Sequence, residues 1–302
     1  MIKSLKDMRE DYKKSGVFYT PPELAEYLKA FFPTDISEIY DPTCGAGGLL
    51  GAFDDNVKKY GQDIDTEAIK YAKEHLKNFT GTVGNTLENP DFMDRKFKYI
   101  VANPPFSVNW LPVNDERFSM LPALPPKSKA DYAFIAHILY MLSDSGMAVV
   151  LEFPGILYRE NSEGKIRKWL VENNYIESIE AIDGNQFTDT KIATCCIVMK
   201  KNKTKTDIIF KHNEFCRTVK FEEIVENDFN LSVSTYIDET PPKEEIDPIA
   251  LEIEARETII SCLDKDLSFS LFVAGAENIP FQPFIDRIKA VVQKYDGKKV
   301  EK

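Results

Sequence analysis

The sequence predicts an α/β fold: a doubly wound, mostly parallel sheet of seven strands with helices on both faces, followed by a small C-terminal helical extension. Between residues 37 and 201, short β-rich runs alternate with longer helical ones, the order in which crossover connections build a parallel sheet. A small glycine-rich turn closes the first of these runs, where doubly wound sheets hold their ligands. With 43% apolar and 12% aromatic residues, the 302-residue chain has the material for one large core and an appendage.

The segment 21–32 reads as a helix because Pro21 and Pro22 stand near its start, where a missing N–H leaves no intrahelical bond unmade. Strands are expected at 38–41, 57–63, 81–84, 99–102, 147–153, 176–182 and 192–200. Helices are expected at 66–78, 130–143 and 165–173, where apolar residues recur at i, i+3 and i+4. The stretch 109–129 carries Pro112, Pro122, Pro125 and Pro126 with little periodicity, so it reads as a long loop, and long loops in compact domains are often functional. After residue 201 the charge density rises; 239–247 reads as a linker, 248–263 as an amphipathic helix carrying Ile249, Ile253, Ile259, Ile260 and Leu263, and 289–302 as a solvated tail. The expected organisation is an N-terminal helical segment at 1–34, the sheet domain at 35–240 and the helical extension at 241–302.

Composition excludes several classes. No run approaches the roughly 18 apolar residues of a membrane span, and Met1-Ile2-Lys3-Ser4-Leu5-Lys6-Asp7 lacks the apolar stretch of a signal peptide, so a cytoplasmic location away from membranes is expected. The five cysteines, at 44, 195, 196, 216 and 262, form no CxxC pair and only three histidines are present, which supports neither a zinc cluster nor a disulfide framework. Cys195 and Cys196 lie in a strand-like run, where alternation sends them to opposite faces. The net charge of −11 opposes binding to phosphates, so a chain acting on nucleic acid with this surface needs help from another.

The segment Ile39-Tyr40-Asp41-Pro42-Thr43-Cys44-Gly45-Ala46-Gly47-Gly48-Leu49-Leu50 puts a tight turn at the end of the first strand. Its glycines let backbone amides approach a ligand, and an acid at a strand end can hold a cationic amine. About twenty residues on, Gly61-Gln62-Asp63-Ile64-Asp65 ends the second strand, where nucleotide-binding sheets place an acid that accepts from ribose hydroxyls. Asp63 suits that role; Asp65 suits the N-cap of the following helix. The turn is not G-x-G-x-x-G, so a dinucleotide is not indicated. The residues from Asp41 to Leu50 resemble the cofactor motif of N6-adenine DNA methyltransferases, above all the modification subunits of type I restriction-modification systems. The resemblance implies a Rossmann-like methyltransferase sheet and S-adenosylmethionine as cofactor, with contacts from Asp41, Pro42, Thr43, Cys44, Gly45, Ala46, Gly47, Asp63 and Ile64. That family also carries an upstream F-Y-T-P segment packed on the methionine part of the cofactor. Here it stands as Val17-Phe18-Tyr19-Thr20-Pro21-Pro22, which implies contacts from Tyr19 and Thr20; the alternative is a hydrophobic N-terminal anchor. At the third strand the family usually carries an acid that accepts from the cofactor's adenine amine. This chain departs from it with Gly84-Asn85-Thr86-Leu87, where an Asn carbonyl oxygen can accept without the charge, and cofactor contacts are carried to Asn85, Thr86 and Leu87.

The catalytic expectation falls on Asn103-Pro104-Pro105-Phe106, about sixty residues after the glycine-rich turn and at the end of the fourth strand. The lone tetrapeptide also reads as a rigid turn; its position beside the cofactor motif favours chemistry. Adenine N6 is a poor nucleophile because its lone pair is delocalised into the ring. Two acceptors aimed at its N–H bonds, the Asn103 side-chain oxygen and the Pro104 carbonyl, strengthen as charge develops on nitrogen and lower the barrier. Phe106 would stack on the base, which must be flipped out of a duplex to reach the sheet edge. The resemblance continues through Ala130-Asp131-Tyr132-Ala133-Phe134, Gly146-Met147-Ala148-Val149-Val150-Leu151 and the region from Ile166 to Ile176 to Asn230-Leu231-Ser232-Val233-Ser234-Thr235-Tyr236, segments that look like the family's fold-holding parts. Phe153-Pro154-Gly155 stands where the family commonly reads Leu-Pro.

Solitary adenine methyltransferases carry a target-recognition domain of well over a hundred residues, whereas about sixty residues follow position 240 here. The expected partners are double-stranded DNA and a separate DNA-specificity subunit, with a restriction subunit and self-association both compatible. Only about fifteen residues precede the F-Y-T-P segment, where modification subunits carry a helical domain, so a shortened form is expected. Two alternatives stand beside DNA methylation: methylation of a protein glutamine or other planar amine, which Asn-Pro-Pro loops with a different aromatic serve, and a non-catalytic module that binds the cofactor and assembles or regulates a complex. Phe106 favours DNA over the first, and the intact tetrapeptide argues against the second.

Overall fold

The computed structural model describes residues 20–113, 115–184, 192–238 and 248–294. The chain divides into two units, residues 1–239 and 240–302.

In the first unit the elements follow as α1 (Pro22–Lys29), β1 (Glu38–Asp41), β2 (Lys58–Asp63), α2 (Thr66–His75), β3 (Phe79–Val83), β4 (Phe97–Ala102), α3 (Glu116–Ser119), α4 (Asp131–Met141), β5 (Leu142–Glu152), α5 (Ser162–Glu172), β6 (Ile176–Ile182), β7 (Thr194–Lys200), β8 (Ile208–His212), β9 (Phe215–Val219), α6 (Phe221–Glu226) and α7 (Val233–Tyr236). The strands form one sheet in the order β3-β2-β1-β4-β5-β7-β6-β8-β9. Neighbours from β3 to β5 run parallel, as do β6 and β8, while β7 lies antiparallel between β5 and β6 and β9 runs antiparallel to β8. The expectation of seven strands is corrected to nine among the described residues. The two extra strands are the hairpin β8–β9, turned through Asn213 at φ 51°. Four of the five β9 residues are exposed, so this edge lacks the alternation of apolar and polar side chains that marks a half-buried strand.

The central strands feed two apolar layers by alternation. Tyr40, Ile100, Ala102, Ala148, Val150, Cys195 and Ile197 pack on one face with Ile135 and Ile138 of α4 and Ile166 and Leu170 of α5. Their neighbours Ile39, Val101, Val149, Leu151, Cys196 and Val198 pack on the other with Leu24 and Leu28 of α1 and Ile69 of α2. Helices thus cover both faces of the sheet. Asp65 caps α2, its Oδ1 accepting from the amides of Glu67 at 2.8 Å and Ala68 at 3.1 Å.

Among its described residues, the second unit forms α8 (Pro248–Ala276) and α9 (Gln282–Gln293). Helix α8 runs past the expected end at 263, and α9 continues through the first residues of the expected tail. Ile253, Ile260 and Phe272 of α8 are exposed. Among the described residues, no helix is long and apolar enough to cross a membrane.

Candidate active site

The sheet reverses direction between β1 and β4: from β1 the chain moves outward to β2 and β3, and from β4 it moves the other way to β5. Such a switch point leaves a crevice outside the carboxyl ends of the two strands, because their following loops turn apart. Register pairs Tyr40 with Ile100, which brings the residues after β1 and β4 side by side. A cleft of about 290 Å³ opens there.

The turn after β1 forms one wall. Gly45 and Gly47 take φ values of 51° and 85°, left-handed conformations that favour glycine. A Cβ on Gly47 would stand 2.4 Å from Leu76 Cδ1. The Thr43 amide donates to Asp41 Oδ1 at 2.9 Å, and the Gly45 amide donates to Asp63 Oδ2 at 2.7 Å, so the acid ending β2 ties down the turn ending β1. Asp63 Oδ1 accepts from the Asp65 amide at 3.0 Å. Burial pushes the Asp41 carboxyl up to about 8, and burial raises Asp63 as well. Among the described residues no lysine or arginine pairs with either acid. A cleft lined by a buried and a partly buried carboxyl group, with no cationic side chain on either among the described residues, suits a ligand that brings a cation and hydroxyl donors.

A second wall follows β3. Asn85 Oδ1 accepts from the Leu87 amide at 3.0 Å, its Nδ2 donates to Glu88 Oε1 at 3.1 Å, and Thr86 Oγ1 donates to Pro42 O at 2.5 Å. The oxygen expected to meet an adenine amine therefore already accepts one bond and keeps its second lone pair.

Asn103 follows directly on β4. Its Nδ2 donates to Thr20 Oγ1 at 3.0 Å, while its Oδ1 is buried with no hydrogen-bond partner. Since buried polar atoms are nearly always paired, an orphaned acceptor at the mouth of a cleft marks the place of a missing donor. The loop then turns at Ser107, φ 51°, whose amide donates to Oδ1 of the buried Asp131 at 3.0 Å and whose hydroxyl accepts from Arg159 Nη2 at 3.0 Å.

Of the residues expected from sequence, Thr20, Asp41, Pro42, Thr43, Cys44, Gly45, Ala46, Asp63, Ile64, Asn85, Thr86, Leu87, Asn103, Pro104 and Pro105 line this cleft. Gly47 supports the turn from outside it, and Phe106 packs half-buried against the apolar layer beneath α1. Tyr19 lies outside the described residues. Gly48 and Leu49 of the same turn and Gly84 line it too, and so do Val108, Asn109, Trp110 and Phe134, which were not expected. They reach it because the stretch after Ser107 folds back over the cleft: the Trp110 amide donates to Lys127 O, its indole Nε1 to Pro126 O and the Ala130 amide to Val108 O, each at 2.9 Å. The single tryptophan of the proline-rich stretch 109–129 is the sequence signal that could have found this wall.

Residues 5–213 match the family described as N-6 DNA Methylase. Among curated proteins, the chain is 31% identical over 300 residues to the type I restriction enzyme MpnII methylase subunit of Mycoplasma pneumoniae, an alignment covering 78% of this chain and 55% of that one. It is 24% identical over 303 residues to the type I restriction enzyme HindI methylase subunit of Haemophilus influenzae, covering 80% and 68%. Among solved structures, the methyltransferase subunit of a type I restriction-modification system from Streptococcus thermophilus superposes with a TM-score of 0.68 at 30% identity, covering 73% of this chain and 59% of that one. The chain thus spans about half the length of the first of these relatives.

Proposed function

Because the chain belongs to the N-6 DNA methylase family, we propose that it transfers a methyl group from S-adenosylmethionine to N6 of a flipped-out adenine in double-stranded DNA, as a modification subunit guided by a separate specificity subunit. The observation that carries this reading is the orphaned Oδ1 of Asn103, fixed beside the acid-lined cleft.

The residues present suit the cofactor. Asp41 stands where a buried carboxylate would take the ammonium group, Asp63 would take the ribose hydroxyls, Asn85 and Leu87 would border the adenine, and Ile64, 71% exposed at the rim, would cover its ring. Bound there, S-adenosylmethionine supplies an electrophilic methyl on a sulfonium. Thr20 orients Asn103 by taking its Nδ2–H, so Oδ1 is the atom left to accept from the adenine amine. The Pro104 carbonyl accepts the second N–H. Pro105 has no N–H to compete and restricts the backbone of Pro104, so both acceptors are fixed before substrate arrives and need no reorganisation as charge builds on nitrogen. Phe106, packed half-buried beneath α1 and outside the cleft lining, would have to turn outward to stack on the extruded base.

The relatives are named as methylase subunits of restriction enzymes, which supports a specificity partner and a restriction partner here; self-association of the chain is compatible with both. We assign cofactor contacts to the segment 1–34, Tyr19 included, the chemistry to 35–240 and partner docking to 241–302, whose helix α8 exposes apolar side chains.

The test incubates the chain, alone and with a specificity-type partner, with labelled S-adenosylmethionine and DNA, then digests the DNA and looks for N6-methyladenine. Asn103→Ala is expected to lower turnover at least about 100-fold while cofactor affinity stays within about threefold. Label in protein and none in DNA would redirect the reading to a planar amide in a polypeptide. Cofactor binding with no label in either would favour an assembly module.

A further inference from the structure

Two walls of the cleft, the segment after β3 and the one carrying Trp110, are held together by one fully buried side chain. Arg117, in α3 of the stretch that leaves the catalytic tetrapeptide, has no solvent exposure. Its Nη1 donates to Thr86 O at 2.7 Å and its Nη2 to Leu87 O at 2.6 Å, the carbonyls of the wall after β3. Its Nε and Nη2 donate to the Asp115 carboxylate at 3.0 and 2.5 Å, and Nη1 reaches His137 Nδ1 at 3.1 Å. All five guanidinium hydrogens are thereby engaged. An arginine is always a donor, so His137 accepts at Nδ1 and carries its proton on Nε2, which reaches the Tyr40 hydroxyl at 3.2 Å. Tyr40 immediately precedes Asp41 in β1.

The consequence for the cleft is geometric. With the carbonyls of Thr86 and Leu87 turned toward Arg117, the amides of the same peptide planes turn the other way. The Leu87 amide meets Asn85 Oδ1 and the Glu88 amide meets Asn85 O at 3.1 Å, which fixes the side chain of Asn85 at the cleft. On the other side, Arg117 anchors the element that follows Trp110, whose ring packs on Phe118 at 5.0 Å while lining the same cleft.

We propose that Arg117 is a positioning residue that couples cofactor binding at Asn85, Thr86 and Leu87 to the placement of the wall carrying Trp110, so that filling the cleft orders the segment leading out of the catalytic loop. This rests on the cofactor reading above.

The chain holds two tryptophans, so replacing Trp169, which lies in α5, by Phe leaves Trp110 as the sole indole reporter. In that background S-adenosylmethionine is expected to change Trp110 emission, with a Kd matching calorimetry. Arg117→Lys is expected to weaken the calorimetric Kd about tenfold and to abolish the emission change at saturating cofactor. Asp115→Asn removes the charge of a partly exposed partner of the clamp while keeping an acceptor for the clamp and for the α3 cap, and serves as the milder variant; it is expected to act in the same direction as Arg117→Lys. Wild-type affinity with a full Trp110 response in Asp115→Asn and in any folded Arg117→Lys overturns the coupling, and so does weakened affinity with a full response at saturation, the signature of a merely structural role. If the unsubstituted chain shows neither heat nor emission change with S-adenosylmethionine, the cofactor reading itself fails and this inference falls with it.

Discussion

At the scale of single residues, the site is defined by polar atoms whose natural partners come from a ligand. Asn103 Oδ1 is one, and Asp41 is the other. Burial pushes the Asp41 carboxyl up to about 8, so it carries a proton at neutral pH in the free protein. A cationic amine seated on it requires the carboxylate, and binding must then expel that proton. The sign follows from the direction of the shift: affinity for S-adenosylmethionine should rise with pH through the window below about 8, approaching tenfold per unit between roughly pH 6 and 7.5. Calorimetry in two buffers of different ionisation enthalpy should find close to one proton released per cofactor bound. A flat profile with no proton release would remove Asp41 from the ammonium site. In Asp41→Asn, the pH dependence should disappear and the affinity should fall.

At the scale of elements, the turn after β1 depends on the strand beneath it. A Cβ on Gly61 of β2 would lie 2.6 Å from Cys44 Sγ and 2.9 Å from Cys44 Cβ, so β2 can support the turn at this distance only with glycine there. Gly61→Ala should push Cys44 toward the cleft, costing about 1–3 kcal/mol of stability and weakening cofactor binding, since overpacking forces neighbours to shift. Adding Cys44→Ala should return part of both losses, because it removes the sulfur in the way. Melting curves and calorimetry on the single and double variants would show this coupling; simple additivity would refute it. The same elements explain what the sequence made legible. Strands 38–41 and 176–182 were read to the residue because each carries buried side chains to the sheet's apolar layers. That the turn after β1, Asp63 and the Asn103 loop meet at one cleft was legible because each stands at or just past a strand end. Trp110, Phe134 and Arg117 were not, since their place in the site comes from a loop folding back and from helix α4, and no local period encodes either. Strand β9 was missed for the opposite reason, an exposed edge that leaves no burial pattern; β8 buries Ile208 and Phe210 at alternate positions, a signal confined to five residues.

At the scale of the whole molecule, charge decides how the site meets its substrate. Affinity for duplex DNA comes largely from releasing counterions, with a salt slope of about 0.9 per phosphate neutralised. A chain with a net charge of −11 offers few such contacts on average, and its own contribution to DNA binding should be correspondingly small. On the proposed reading, a base held by stacking and by two acceptors at Asn103 and Pro104 would add local contacts, but only after the duplex had been engaged and opened. The cost of extrusion, a few kcal/mol, must be met by contacts elsewhere. The expected division of labour is therefore that a basic partner supplies the phosphate contacts while this chain supplies the cleft. Fluorescence anisotropy between 50 and 200 mM salt measures it directly. The chain alone should bind DNA weakly, with a slope near one or two, and a complex with a specificity-type partner should bind far more tightly with a markedly steeper slope. Tight binding with a steep slope by the chain alone would mean that a basic face of its own carries the DNA, and the need for a partner would then rest on sequence recognition alone.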